Sequence, residues 1–135
     1  MIFSTTLSVP AATARASPAT VDLVIAHGII HHVDISFLDG PENEVHVIVR
    51  RPGLHQIVPT NEGDIVGNSR TVAVFLWEPV EGPPYQLVVD AWSPDASYAH
   101  EIAVDVHVLP REVIAPLREE IPLLRRLTRA VLGGP

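Results

Sequence analysis

Between residues 21 and 108 the apolar side chains recur at every second position in short runs, each closed by residues that turn a backbone. A period of two buries one face of a strand and leaves the other to water, whereas a helix needs apolar residues every three or four positions. Strands are therefore expected at about 21–30, 32–38, 44–50, 55–58, 70–77, 85–92 and 100–108. Asp39-Gly40-Pro41, Pro52-Gly53, Asn61-Glu62-Gly63-Asp64, Gly67-Asn68-Ser69, Glu81-Gly82-Pro83-Pro84 and Ser93-Pro94-Asp95 separate them, supplying or presetting the φ values a reversal needs. Seven strands with no helical pattern between them favour two stacked antiparallel sheets over a parallel α/β arrangement. The alternation predicts inner faces of Val33, Ile35 and Phe37, then Val45, Val47 and Val49, then Leu87, Val89 and Ala91, then Ile102, Val104, Val106 and Val108.

Composition narrows the chemistry. At 135 residues and 47% hydrophobic, the chain can build one core without covalent staples. The absence of cysteine excludes disulfides, thiolate metal sites and cysteine nucleophiles. All nine basic residues are arginine, so a P-loop lysine, a Schiff base and a lysine general base are excluded as well. Residues 1–110 carry 4 Arg against 13 acidic residues, and such a body repels nucleic acid. Residues 111–135 reverse the balance, with 5 Arg against 3 acids. Apolar runs are too short for a membrane span of about 18 to 20 residues; even the longest candidate, VDLVIAHGII, is interrupted by Asp22, His27 and Gly28.

The two ends differ from the middle. Residues 1–20 contain Ala14-Arg15-Ala16, which imitates a cleavage site, but early positive charge is lacking and the apolar segment is broken by Ser4, Thr5, Thr6 and Ser8. A signal peptide is thus not expected, which favours the cytoplasm, and residues 1–20 are expected to form a flexible arm or an extended segment that adds to a neighbour's sheet edge. At the other end, within 110–135, Ile114, Leu117, Ile121, Leu124, Thr128 and Val131 follow helical spacing and predict an amphipathic helix, kinked or divided at Pro122 and ended by Gly133-Gly134. Strand 70–77 is apolar on both sides, with Val72, Val74 and Leu76 on one and Ala73, Phe75 and Trp77 on the other. A second apolar face calls for a cover, either that helix or a partner.

The segment Tyr85-Gln86-Leu87-Val88-Val89-Asp90-Ala91, a polar turn and the alternating valines up to Val108 resemble the last two strands of bacterial immunoglobulin-like and fibronectin type III-like domains over residues 21–109. The resemblance implies a seven-stranded antiparallel sandwich, with Tyr85 as a tyrosine corner. It departs from the family in having no inter-sheet cysteines and no tryptophan within 44–50. If that strand order holds, strands 44–50, 85–92 and 100–108 share one sheet, and His46, Asp90 and Asp105 gather on its outer face.

Seven histidines are the one hint of site chemistry, yet HExxH, His-x-His and helical Glu-x-x-His are all lacking. His46, Asp90 and Asp105 could bind a divalent metal or act as an acid and base pair; His32 and Asp34, on another outer face, read as solvated polar residues. Trp92 and Tyr98, beside the turn at 93–99, could form a platform for carbohydrate or another ligand. Gly67-Asn68-Ser69-Arg70-Thr71 lacks the second glycine of a nucleophile elbow and reads as a turn. Taken together the expectation is a non-enzymatic assembly subunit without a cofactor, self-associating as a homo-oligomer or docking on a protein partner. Its expected interface is Phe75, Trp77, Ile114, Leu117, Ile121, Leu124 and Val131; a ligand-binding module and a metal-dependent enzyme are the alternatives.

Overall fold

In the computed structural model, which describes residues 1–53, 55–60 and 63–110, the chain forms eight antiparallel strands in two sheets of four. The strands are β1 (Ile2–Val9), β2 (Ala19–Val24), β3 (Gly28–Phe37), β4 (His46–Arg50), β5 (Gln56–Val58), β6 (Arg70–Val80), β7 (Gln86–Trp92) and β8 (His100–Pro110). One sheet has the order β1-β8-β3-β6 and the other β2-β7-β4-β5. Strand β1 pairs with β8, β2 with β7, β3 with β6 and β4 with β5, all antiparallel. The chain is therefore one long hairpin rolled up so that successive pairs fall in alternate sheets, which is jelly-roll topology.

Every inner position predicted from alternation is buried: Val33, Ile35, Phe37, Val45, Val47, Val49, Leu87, Val89, Ala91, Ile102, Val104, Val106 and Val108. These residues join Leu7, Val9, Leu23, Ile25, Ile30, Ile57, Val58 and Val80 in a single apolar layer between the sheets. Burying each such side chain contributes roughly 1.5 to 3 kcal/mol, which is why the face of each strand follows its period so closely.

Three expectations change. Residues 2–9, assigned to a flexible arm, form β1, in register with β8 from Ile2 opposite His107 to Val9 opposite His100. The cause was present in the sequence, since Phe3, Leu7 and Val9 alternate with Ser4, Thr6 and Ser8, and Leu7 and Val9 are buried. Secondly, the single strand expected at 21–30 is divided: β2 ends at Val24, and the chain crosses to the other sheet before β3 begins at Gly28. Thirdly, the strand order differs from the one an immunoglobulin-like arrangement implies, because β8 lies in the sheet opposite β7 and β4. Period two dictates which face a strand buries but not which neighbour it takes. The expected helix and its residues Ile114, Leu117, Ile121, Leu124 and Val131 lie outside the described residues.

Gly28 makes the crossing possible. A Cβ at this position would collide with the Leu109 carbonyl oxygen and sit 2.8 Å from Val108 Cγ1. Gly28→Ala should therefore lower stability by about 1 to 3 kcal/mol through overpacking against the β8 backbone. Urea unfolding measures this, and a loss within 0.5 kcal/mol of zero, the usual scatter of a neutral surface change, would show that the close approach is not required. Gly67 also serves packing, since a Cβ there would lie 2.6 Å from the Phe37 ring. Beside it Asn68 Oδ1 accepts from the amides of Gly40 (2.9 Å) and Glu42 (3.1 Å), so 67–69 is a tied turn, as expected.

Candidate functional site

Strands β8, β3 and β6 present their outward side chains in ladder rows. His107, His32 and Phe75 form one row, Asp105, Asp34 and Ala73 the next, and Ala103, Ser36 and Thr71 the third. The third row is closed by a hydrogen bond between the Ser36 and Thr71 hydroxyls at 3.0 Å. The first row is crowded with rings. His32 stacks on His107 with centroids 4.5 Å apart and planes at 18°, and on its other side stacks on Phe75, also at 4.5 Å.

A register shift supplies a further imidazole. Relative to β8, His31 is the extra residue between Ile30 and His32, so β3 bulges there. The inserted residue reverses the parity of the strand: Ile30 and Val33 both enter the core, and the two histidines between them stay partly exposed. The His31 ring centroid lies 6.0 Å from that of His107 and 6.5 Å from that of His32. Desolvation, followed by repulsion from His107, His32 and the chain amino group, lowers the pKa of His31 below the ordinary histidine value. The neutral ring is thus favoured in a cluster that would otherwise accumulate positive charge.

Asp34 faces the Nε2 edges of the two stacked rings. His32 Nε2 is 2.7 Å from its Oδ1, and His107 Nε2 is 3.3 Å from its Oδ2. Despite the short distance, His32 Nε2 is shielded from solvent and has no hydrogen bond of acceptable direction, so the contact is close but not a directed bond. Among the described residues, His32, Asp34 and His107 are the one group of three potential metal ligands whose donor atoms converge, all lying within 4.8 Å of one another.

The residues singled out from sequence are distributed differently. His46, Asp90 and Asp105 do not meet. His46 Nδ1 lies 3.2 Å from Asp64 and its ring is stacked parallel to Trp92 at 5.7 Å, while Asp90 accepts from Arg50 Nε at 2.6 Å. Asp105 is in the other sheet, opposite Asp34. Trp92 and Tyr98 likewise form no shared platform. Trp92 is only 5% exposed, with the Arg15 guanidinium 5.2 Å from its ring centroid; Tyr98 tilts against His100 and donates to the Gly40 carbonyl at 3.3 Å. Sequence patterning missed the role of His107 because its partner strand was misassigned. The available signal was His32-Val33-Asp34, two potential ligands flanking a core valine on one strand face.

Phe75 and Trp77, by contrast, lie where expected, 77% and 58% exposed on β6. This strand is the outer edge of its sheet, 11 residues long, and the stretch from Thr71 to Trp77 bears no charge. Charge flanks this stretch at Arg70 and Glu78, proline follows at Pro79, and Arg51 and His55 contact Glu78 from the loop joining β4 and β5, at 3.3 and 3.2 Å. No family model matches the chain, and no similar curated protein was found.

Proposed function

We propose that this protein is a non-enzymatic assembly subunit that associates with a second copy of itself through the β6 edge and the Phe75/Trp77 surface. The observation that carries this reading is the exposure of two large aromatic side chains on an edge strand whose middle, Thr71 to Trp77, bears no charge. Edge strands usually blunt their unpaired N–H and C=O groups with charge, proline or a bulge, and the middle of β6 has none of the first two. Antiparallel self-pairing about a two-fold axis near Leu76 extends the four-stranded sheet into the second copy and sets each Phe75 beside the other copy's Trp77. Aromatic pairs of this kind contribute beyond their buried area, and a two-fold contact closes without growing into a fibre.

Sedimentation velocity of the full chain tests the proposal. Wild type is expected at twice its 14.7 kDa mass, and the double variant Phe75→Glu, Trp77→Glu at the single mass, with Kd raised by about 30-fold or more. Circular dichroism of the variant must retain the strand spectrum. A monomeric wild type at the highest soluble concentration overturns the proposal, as does a dimer indifferent to both substitutions. A monomer destabilised by Phe75→Glu instead points to residues 111–135 as the cover.

A further inference from the structure

We infer that His32, Asp34 and His107 form a binding site for a divalent transition-metal ion, with zinc as the cation it fits best among those tested below. The inference is independent of self-association. It rests on the convergence of two imidazole nitrogens and one carboxylate within 4.8 Å, and on a shielded His32 Nε2 that has no directed hydrogen bond.

The donor set selects the class of cation. Calcium takes six to eight oxygens and magnesium an octahedral oxygen shell, so two imidazoles and one carboxylate suit neither. Imidazole-rich sites suit zinc, copper, iron and nickel. Three protein ligands with a fourth position for water is a familiar open zinc arrangement. Donor atoms around a tetrahedral zinc lie about 3.3 Å apart at bond lengths of about 2.0 to 2.1 Å. The carboxylate oxygens already lie 2.7 and 3.3 Å from the two ring nitrogens. Since no donor pair exceeds 4.8 Å, the widest gap needs to close by no more than about 1.5 Å, a movement within reach of imidazole rotation.

The fold holds the ligands on its stiffest part. Strands β3 and β8 are the two central strands of their sheet, with His32 opposite His107 and Asp34 two residues along on the same face. Core neighbours Val33 and Val106 are fully buried and fix the backbone beneath. Phe75, stacked on His32, limits water on one side and restricts the ring. Asp105, opposite Asp34 on the adjoining strand, adds a second negative charge close to the cation.

The test uses the full untagged chain, stripped with chelator and titrated calorimetrically with zinc, and in parallel arms with nickel, cobalt and magnesium. Zinc is expected to bind at one ion per chain and to raise the melting temperature; cobalt is expected to show the visible bands of a four-coordinate site; magnesium is expected to remain silent. Loss of even an outer partner of a metal ligand weakens binding about 10- to 100-fold, so Asp34→Asn and His107→Gln should each weaken zinc at least that much. His46→Gln, which alters the separate contact with Asp64, should leave zinc affinity within about two-fold. If Asp34→Asn does not fold, His107→Gln and the cobalt spectrum carry the decision. Absence of saturable binding, stoichiometry other than one, or equal losses in His46→Gln and His107→Gln would overturn the site and leave Asp34 as an ion-pair partner only.

Discussion

Ile35→Ala should lower the free energy of unfolding by about 2 to 5 kcal/mol, the range for truncating a fully buried aliphatic side chain. Ile35 is completely buried in the C-terminal half of β3, paired with Val72 of β6 on one side and Val104 of β8 on the other. Ladders on both sides hold the backbone, so the walls of the new cavity have little freedom to collapse, and the cost should lie in the upper half of that range. Leu87→Ala, in the facing sheet and also fully buried, should cost a similar amount. Val24→Ala is the counterpart on the exposed side of an edge strand and should change stability by no more than about 0.5 kcal/mol. Urea unfolding with unchanged m-values separates these outcomes. A cost below 1 kcal/mol at both Ile35 and Leu87 would mean that the two sheets do not share one close-packed layer.

Arg50→Met should cost about 2 to 3 kcal/mol, although the lost partner is itself partly in water. The reason is the group left behind. Asp90 is 6% exposed, receives Arg50 Nε on Oδ2 at 2.6 Å, and has no hydrogen bond on its shielded Oδ1. Removing the guanidinium strands a carboxylate between Val88 and Trp92, both of which are buried. The pair itself is a different matter, because desolvating two charges offsets much of their attraction. The double variant Arg50→Met, Asp90→Leu should therefore recover most of the loss and come within about 1 kcal/mol of wild type. A double-mutant cycle by chemical denaturation measures this. Equal destabilisation by the single and double variants would show that Asp90 is held by something other than Arg50.

Both predictions depend on burial, and burial was largely legible from the chain. The alternating valines of 45–49 and 102–108 place themselves by period alone, since a one-residue slip would turn every one of them outward. Phe75 and Trp77 were legible for a related reason: a strand apolar on both faces cannot bury both within a single two-layer sandwich. Legibility failed where the answer depended on neighbours. Nothing local distinguishes β8 beside β3 from β8 beside β7, and placing β8 in one sheet with β4 and β7 brought Asp105 to the outer face that His46 and Asp90 occupy, whereas it lies on the opposite sheet.

His31 illustrates the same divide on the scale of one residue. In sequence, Ile30-His31-His32-Val33 interrupts the alternation and looks like the gap between two strands; in the structure it is a bulge within β3. The inserted residue lets the core accept Ile30 and Val33 while turning two imidazoles outward, one of them onto His107 from a segment 75 residues further along the chain. The amino-acid order by itself determined which side chains leave water, because the hydrophobic effect acts on each strand's own pattern and carries no information about direction. Which strands lie side by side, and hence which polar groups meet on the outside, was decided only by the rolled pairing of the whole chain, since backbone ladders form between any two extended segments and their choice is settled by how both sheets close over one core.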